Sequence, residues 1–282
     1  MEGFARLSIM WSLLHFLHAP FTTLWKHRLL LRQFSVRSIE IRHKGSHFGL
    51  IWSFINPLLM LGLYVLVFGY IFGGSFDVIP NETPIDYGLG IFVGLVLFHF
   101  VAEVLAVSPT TIVANSNFVK KVVFPLEILP VANVAAAFFH LLTSMVMVLG
   151  GIALIGPGLT WGILWIPVVL IPLLLCVVGL SWIIAALAVF FRDISQLTQF
   201  LSMALMFASA VFYPASKIPF SIGQILEFNP MLVAIELMRN AILWNHPVSL
   251  VSVYYLFVVG LISVIVGNIF FRRLRPAFSD VV

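Results

Sequence analysis

Apolar residues fall along this chain in long runs separated by short polar joins, and the runs are of the wrong length for a soluble protein. A membrane-spanning helix needs about 20 mostly apolar residues. Six stretches meet that need: 50–73, 88–112, 126–155, 161–191, 196–213 and 248–271. Two further stretches are neither spans nor ordinary loops. Residues 20–44, PFTTLWKHRLLLRQFSVRSIEIRHK, interleave Leu, Phe and Trp with closely spaced Arg and Lys, the pattern of an amphipathic helix lying in a membrane surface. Residues 216–246 hold two short apolar pieces broken at Asn229-Pro230. Each is too short to span, so the pattern predicts a pair of short helices dipping back into one face, where protein or a water-filled cavity satisfies the backbone.

The join IRHKGSHFGLIWSFINPLLM, residues 41–60, reads as an elbow. Arg42 and Lys44 stay at water or headgroups, Gly45 and Gly49 permit a bend, and Trp52 sits at interface depth. Asn56 places polarity inside the first span, where it is costly unless used or satisfied. Pro57 removes a helical hydrogen bond and bends the helix. The plain alternative is an ordinary helix start.

Composition agrees with the pattern. The 282 residues are 61% hydrophobic and 9% charged, against about one-quarter charged in an average soluble domain. So few charges leave a soluble surface uncovered. The net charge of +4 is informative through its location. Arg6, Lys26, Arg28, Arg32, Arg37, Arg42, Lys44, Lys120, Lys121, Arg192, Arg272, Arg273 and Arg275 all fall on one side of a six-span arrangement. Lys217 and Arg239 fall on the other. The loop 74–87 has Asp77, Glu82 and Asp86 but no Lys or Arg. That is the positive-inside pattern, with both ends cytoplasmic. The expected organisation is a cytoplasmic N-terminal region with its interface helix (1–49), a six-helix membrane domain (50–271) and a cytoplasmic tail (272–282). The first twenty residues lack the pattern of a cleaved signal peptide. The one cysteine, Cys176, lies in an apolar run and excludes an internal disulfide and a multi-cysteine metal site.

Candidate chemistry is sparse. The chain has no G-x-x-x-x-G-K-[ST], no H-E-x-x-H and no G-x-S-x-G. His99 and Glu103, four apart, share one helix face inside the second span. An intramembrane Glu is a functional candidate, the alternative being that the two satisfy each other or meet a neighbouring subunit. His140 stands alone in the third span, Glu127 is expected at the cytoplasmic interface, and Arg192 and Asp193 can pair locally at the end of the fourth. Tyr64, Phe68 and Tyr70 line the first span, where rings suit a sugar path but equally suit lipid contact. Tyr64, near mid-membrane, needs a partner for its hydroxyl. The loop 115–130, with Asn115, Asn117, Lys120 and Lys121, has the character of a docking element for a soluble partner, or of a plain basic loop.

These residues carry a resemblance. RHKGSHFGLIWSFINPLLMLGLYVLVFGYIF, NSNFVKKVVFPLEILPVANV, FFRDISQLTQFLSMALMFASAVFYPASKIP and FNPMLVAIELMRNAIL resemble, in order, four conserved blocks of the membrane subunit of type-2 ABC exporters for bacterial surface polysaccharide. The first block is closer to O-antigen and teichoic-acid exporters than to capsule exporters. The resemblance covers most of residues 40–245. It implies an all-α integral membrane protein: six transmembrane helices, an N-terminal interface helix, a cytoplasmic coupling helix and two re-entrant gate helices before the last span. It implies a homodimer in the bacterial inner membrane, working with two copies of a separate ATPase that binds ATP and Mg. Its substrate would be a polysaccharide linked to undecaprenyl diphosphate; no nucleic acid is involved, and no cofactor sits in this chain. Carried over by motif, Asn115, Asn117, Lys120 and Lys121 lie in the coupling helix, and Pro214, Asn229, Pro230 and Arg239 in the gate. Arg37, Arg42 and Lys44 lie where the diphosphate headgroup is admitted, which suits them by charge and, for Arg, by fork geometry. Tyr64, Phe68, Tyr70, His99 and Glu103 are the pathway candidates. An ion-coupled transporter would show more buried carboxylates or an internal repeat, and a lipid-modifying enzyme a clustered acid/base or metal site. Neither pattern is present in the sequence. Export of a drug or another lipid on the same architecture is the nearer rival.

Overall fold

The computed structural model describes residues 20–43, 51–80, 82–120 and 124–281, without the side chains of residues 42, 43 and 53. Lys44, Lys121, the proposed bend at Gly45 and Gly49, and the side chain of Arg42 therefore lie outside the described residues. Among those described, the chain is all helix and loop, with no strand. Five helical stretches are long and apolar enough to cross a membrane: Phe54–Ile71, Pro84–Thr110, Ile128–Leu154, Trp161–Phe190 and Leu250–Val281. Helices apolar on every side are what a bilayer or a fully enclosed core selects.

The first helix, α1 (Arg28–His43), covers the predicted surface-helix stretch and packs on the start of α5. Helix α2 (Trp52–Tyr64) continues through Pro57 and departs from α geometry in a π-helical segment over Val65–Ile71. Its side chains are largely exposed: Leu58, Leu59, Met60, Leu63 and Leu66 touch little else in the chain. Helix α3 (Pro84–Val107) is the axis of the fold, with most of its side chains buried. Thr83 and Asp86 close a reciprocal capping box at its start, and Pro84 takes the first helical position, where its missing N–H costs nothing. A five-residue α4 (Ser116–Lys120) precedes α5 (Ile128–Leu154), which returns antiparallel along α3.

Helices α6 (Trp165–Phe190) and α10 (Leu250–Leu274) form the tightest pair. A Cβ on Gly179 would stand 2.1 Å from the Ser263 carbonyl oxygen, and one on Gly260 2.5 Å from that of Pro172. Small residues at these points let the backbones touch, the packing that works between helices in lipid. Because 172 meets 260 and 179 meets 263 and 267, the two helices run parallel. The chain between them therefore changes ends an odd number of times. Helix α7 (Ile194–Ala208) makes that change. The next two helices, α8 (Phe220–Leu226) and α9 (Pro230–Ile242), are bent by 95° at Asn229 and return to the end they left.

The fifth predicted span differs from expectation in length. Helix α7 has 15 residues, about 22 Å at 1.5 Å per residue, and residues 209–213 continue as non-helical backbone. Ala210, in the left-handed region at φ 51°, breaks the helix. Apolar patterning is the same for helix and for such irregular backbone, so the sequence hides the break. Buried side chains from other elements compensate for it, as described below. After α10 the chain does not trail away. A turn at Arg275–Ala277 leads to α11 (Phe278–Val281), and the Phe278 ring is fully buried against Phe190 and Phe271.

Candidate functional site

Three groups of side chains stand out, one at the basic end of the bundle and two adjoining groups at the other. At the basic end, α1, the end of α3 and the start of α5 enclose a cavity of about 440 Å³. Arg37 and Ser38 line it from α1, Glu103 and Thr111 from the α3 side, and Asn133 from α5, between Ala106, Ala132 and Ala136. Its wall is a polar ladder: Ser38 Oγ donates to Asn133 Oδ1 at 3.1 Å, and Asn133 Nδ2 donates to Thr111 Oγ1 at 2.9 Å. Arg37 also borders the neighbouring groove with Arg32 and Glu40. A guanidinium over an apolar recess suits an anionic head on an apolar tail.

Glu103 meets a partner that sequence spacing did not reveal. His140, read from the sequence as solitary, places Nδ1 3.0 Å from Glu103 Oε1 across the α3–α5 contact. The two are 37 positions apart on antiparallel helices, so no spacing rule within one helix finds them. His99 lies on an exposed face of α3.

Near the start of α3, Tyr64 and Phe68 come together on a ring that the sequence reading missed. Phe68 stacks on Phe212 at 4.7 Å and Tyr64 leans on the same ring at 4.8 Å. Phe212 sits in the irregular segment after α7, held by the Tyr87 hydroxyl, which donates to its carbonyl at 2.8 Å. Tyr70 is 69% exposed and stands outside this cluster.

At the same end Arg239 is fully buried. Its Nε donates to the Gly90 carbonyl at 2.9 Å, Nη1 to that of Ala210 at 2.9 Å and Nη2 to that of Val211 at 2.6 Å. Glu236, one turn back, pairs with Nη1 at 3.2 Å, and the Phe76 ring covers the guanidinium at 4.3 Å. Asn229 accepts from Met231 N as the cap of α9 and donates to the Ala208 carbonyl. Pro230 occupies the first helical position, and Pro214 leads into the turn Ala215–Lys217. Irregular backbone inside an apolar bundle thus finds its hydrogen-bond partners in protein, the condition that membrane depth imposes. The sequence placed Arg239 on the outer side by charge counting; in the fold it faces inward. Outside it, Lys217 Nζ stands 3.0 Å from Asp77, and that ammonium, with the Ser75 hydroxyl, holds the Asp77 carboxyl below its ordinary range.

The docking candidates occupy the basic end. Asn117 and Lys120 are exposed on α4, whereas Asn115 uses its amide to bond the Thr111 carbonyl at 2.9 Å. Phe118 of α4 packs at 4.8 Å on Phe124 and at 5.5 Å on Phe34 of α1.

Comparison with known proteins gives these features a common setting. The chain is 29% identical over 252 residues to an O-antigen export system permease protein RfbA of Klebsiella pneumoniae, spanning 87% of this chain and 92% of that one. It is 29% identical over 226 residues to the RfbA of Myxococcus xanthus, with 79% and 83% covered. A polysialic acid transport protein, KpsM of Escherichia coli, is 24% identical over 250 residues, with 86% and 92% covered. The sequence profile of the ABC-2 type transporter family matches residues 30–243, which takes in the cavity, the aromatic cluster and the Arg239 centre, and the chain belongs to that family.

Proposed function

We propose that this protein is the membrane-spanning subunit of an ATP-driven exporter that moves a lipid-linked polysaccharide of O-antigen type, carried on undecaprenyl diphosphate, out of the cytoplasm. The observation that carries the reading is the similarity to O-antigen export permeases over most of the chain. The chain has no nucleotide-binding loop, so free energy enters through a partner: two copies of an ABC ATPase, bound by a homodimer of this chain. Six crossings, counting α7, put both ends on the cytoplasmic side of the inner membrane. The basic end then faces the cytoplasm, in keeping with the charge distribution.

Each group of side chains takes a place in that cycle. Arg37, together with Arg42 and Lys44, admits the diphosphate headgroup at the α1–α3–α5 cavity, whose apolar floor accepts the first part of the isoprenoid. Glu103, with His140 and His99, borders the same route deeper in the bundle. Tyr64, Phe68 and Phe212 offer ring faces on which sugar rings slide. Tyr70 extends that surface outward. Helix α4, with Asn115, Asn117, Lys120 and Lys121, seats in the ATPase. The α8–α9 hairpin, with Pro214, Asn229, Pro230 and Arg239, closes the outer end. A capsular polysaccharide is the second substrate class, favoured by the similarity to KpsM.

The test is a deletion strain in which surface polysaccharide and cytoplasmic-leaflet lipid-linked glycan are assayed together. Loss of the first with build-up of the second is expected. Normal surface glycan without build-up, in a strain with no paralogue, refutes the reading.

A further inference from the structure

The geometry points to Glu127 as the positioning residue that transmits motion of the docking helix α4 to helices α6 and α10, so that without its charge ATP is hydrolysed and little glycan moves. The inference rests on the export reading above and adds to it a residue that neither charge counting nor family motifs singled out.

Glu127 is a carboxylate only 3% exposed at the basic end, immediately before α5. Its Oε1 accepts from Arg275 Nη1 at 3.0 Å, and Arg272 Nε stands 3.8 Å away. Arg272 lies in the last turn of α10, and Arg275 caps that helix. The same Arg275 reaches back through Nη2 to the Phe124 carbonyl at 3.1 Å. Arg272 Nη2 in turn donates to Thr23 Oγ1, ahead of α1. The Glu127 main-chain carbonyl accepts from the indole N–H of Trp182 at 2.9 Å, and Trp182 is fully buried in α6. One residue is thus fastened to α10 by its side chain and to α6 by its backbone.

The connection to α4 is through rings. Phe124, three residues before Glu127, packs at 4.8 Å on Phe118 of α4 and at 5.2 Å on Phe34 of α1. Displacement of α4 by the ATPase therefore moves Phe124. Arg275, bonded to both Phe124 and Glu127, moves with it. Helices α6 and α10 follow as one body, because their backbones touch along the Gly179–Ser263 and Gly260–Pro172 contacts. Packed elements of this kind transmit a shift rather than absorb it. Arg275 Nη1 donates to both oxygens of this nearly dry carboxylate, at 3.0 and 3.3 Å, and charge-assisted hydrogen bonds are the strong ones. Phe278 of α11, buried against Phe190 and Phe271, adds a stop behind the junction.

The experiment uses the full complex with its ATPase, in proteoliposomes and in cells, and measures ATP turnover and glycan export together. Glu127→Gln keeps the shape and removes the charge, and Arg272 and Arg275 are 37% and 38% exposed, so both are able to rehydrate. The complex is expected to assemble and hydrolyse ATP at close to the wild-type rate, while export per ATP falls about tenfold or more, within the usual range of a coupling free energy. Arg275→Lys should restore part of what Arg275→Ala loses. Combining Phe118→Leu with Glu127→Gln should cost no more than the worse single change, because the two act in series. If Glu127→Gln fails to assemble, Trp182→Phe, which removes the indole donor and part of the ring but leaves an apolar aromatic in the fully buried site, must give the same separation of hydrolysis from export. Proportionate loss of hydrolysis and export, undiminished export, or multiplicative losses in the double variant overturn the proposal. Failure of the polysaccharide reading shows differently, as no glycan movement by the unaltered complex, and takes this inference with it.

Discussion

Arg239→Ala is the most revealing single perturbation of the end opposite the basic one. Three carbonyls lose a charged donor: those of Gly90, Ala210 and Val211. Gly90 lies in the body of α3 and keeps its helical partner. Ala210 and Val211 lie past the end of α7, are fully buried, and have no helix to fall back on. An unsatisfied buried carbonyl costs roughly 1–3 kcal/mol, so the two together cost about 2–6 kcal/mol. Removing the arginine also removes the burden of keeping a guanidinium dry, which offsets part of this loss. Truncation opens a void beneath Phe76, which works the other way. The net expectation is a loss of about 4 kcal/mol, roughly a thousandfold in the folded-to-unfolded ratio. Equilibrium unfolding in mixed micelles measures the loss, and amide exchange over residues 209–213 locates it. Arg239→Lys should recover part of it, since an ammonium reaches fewer carbonyls than the planar fork. If Arg239→Ala unfolds at the wild-type midpoint with unchanged exchange over 209–213, the carbonyls do not depend on the arginine and the gate argument loses its anchor.

Three further outcomes follow from the same coordinates. Gly94→Ala places a Cβ 2.8 Å from Arg239 Nη2 and should destabilise by about 1–3 kcal/mol, a cost largely absent in the Arg239→Ala background; equal costs in both backgrounds refute the contact. Gly179→Ala drives a Cβ to 2.1 Å from the Ser263 carbonyl and should part α6 from α10 at a cost of about 1–3 kcal/mol, read by the same unfolding assay. Lys217→Ala should raise the Asp77 pKa toward its ordinary value near 3.8, followed by carboxyl ¹³C NMR. Since the folded-state pKa is lowered, the pair's contribution is present above that ordinary value and fades as pH falls through the lower one.

The sequence disclosed what depends on long runs and lost what depends on contacts between runs. Five of the predicted spans match long helices, because about 20 apolar residues in lipid have one stable form. The broken hairpin was legible at Asn229-Pro230, where Pro fits only a first turn and Asn caps it. The fifth span was misjudged because Ala210 and Val211 are as apolar in irregular backbone as in helix, and the arginine that serves their carbonyls sits 29 and 28 positions away. The Glu103–His140 pair and the Phe68–Phe212 stack were illegible for the same reason. Glu127 was expected at the cytoplasmic interface, and nothing in its neighbourhood announces its partners Arg272 and Arg275, about 145 positions further along the chain.

Those misses share a cause. A bilayer protein has few charges, and this one places its inward-facing polar groups at joints. Arg239 sits where α7 gives out, and Glu127 where the segment after α4 meets α5, α6 and the end of α10. Glu103 and His140 lie where α3 crosses α5, beside the cavity. Hydrophobic association holds nothing together between helices already in lipid, so packing of small residues and hydrogen bonds must hold those joints. A helix pair such as α6 and α10, touching backbone to backbone, is rigid and moves as one. A joint held by a single guanidinium or a single carboxylate is strong while its donors and acceptors are matched, yet has a second arrangement available if one bond is exchanged for another. An exporter needs both: bodies that do not deform, and few enough fastenings that a partner's ATP cycle acts on them all.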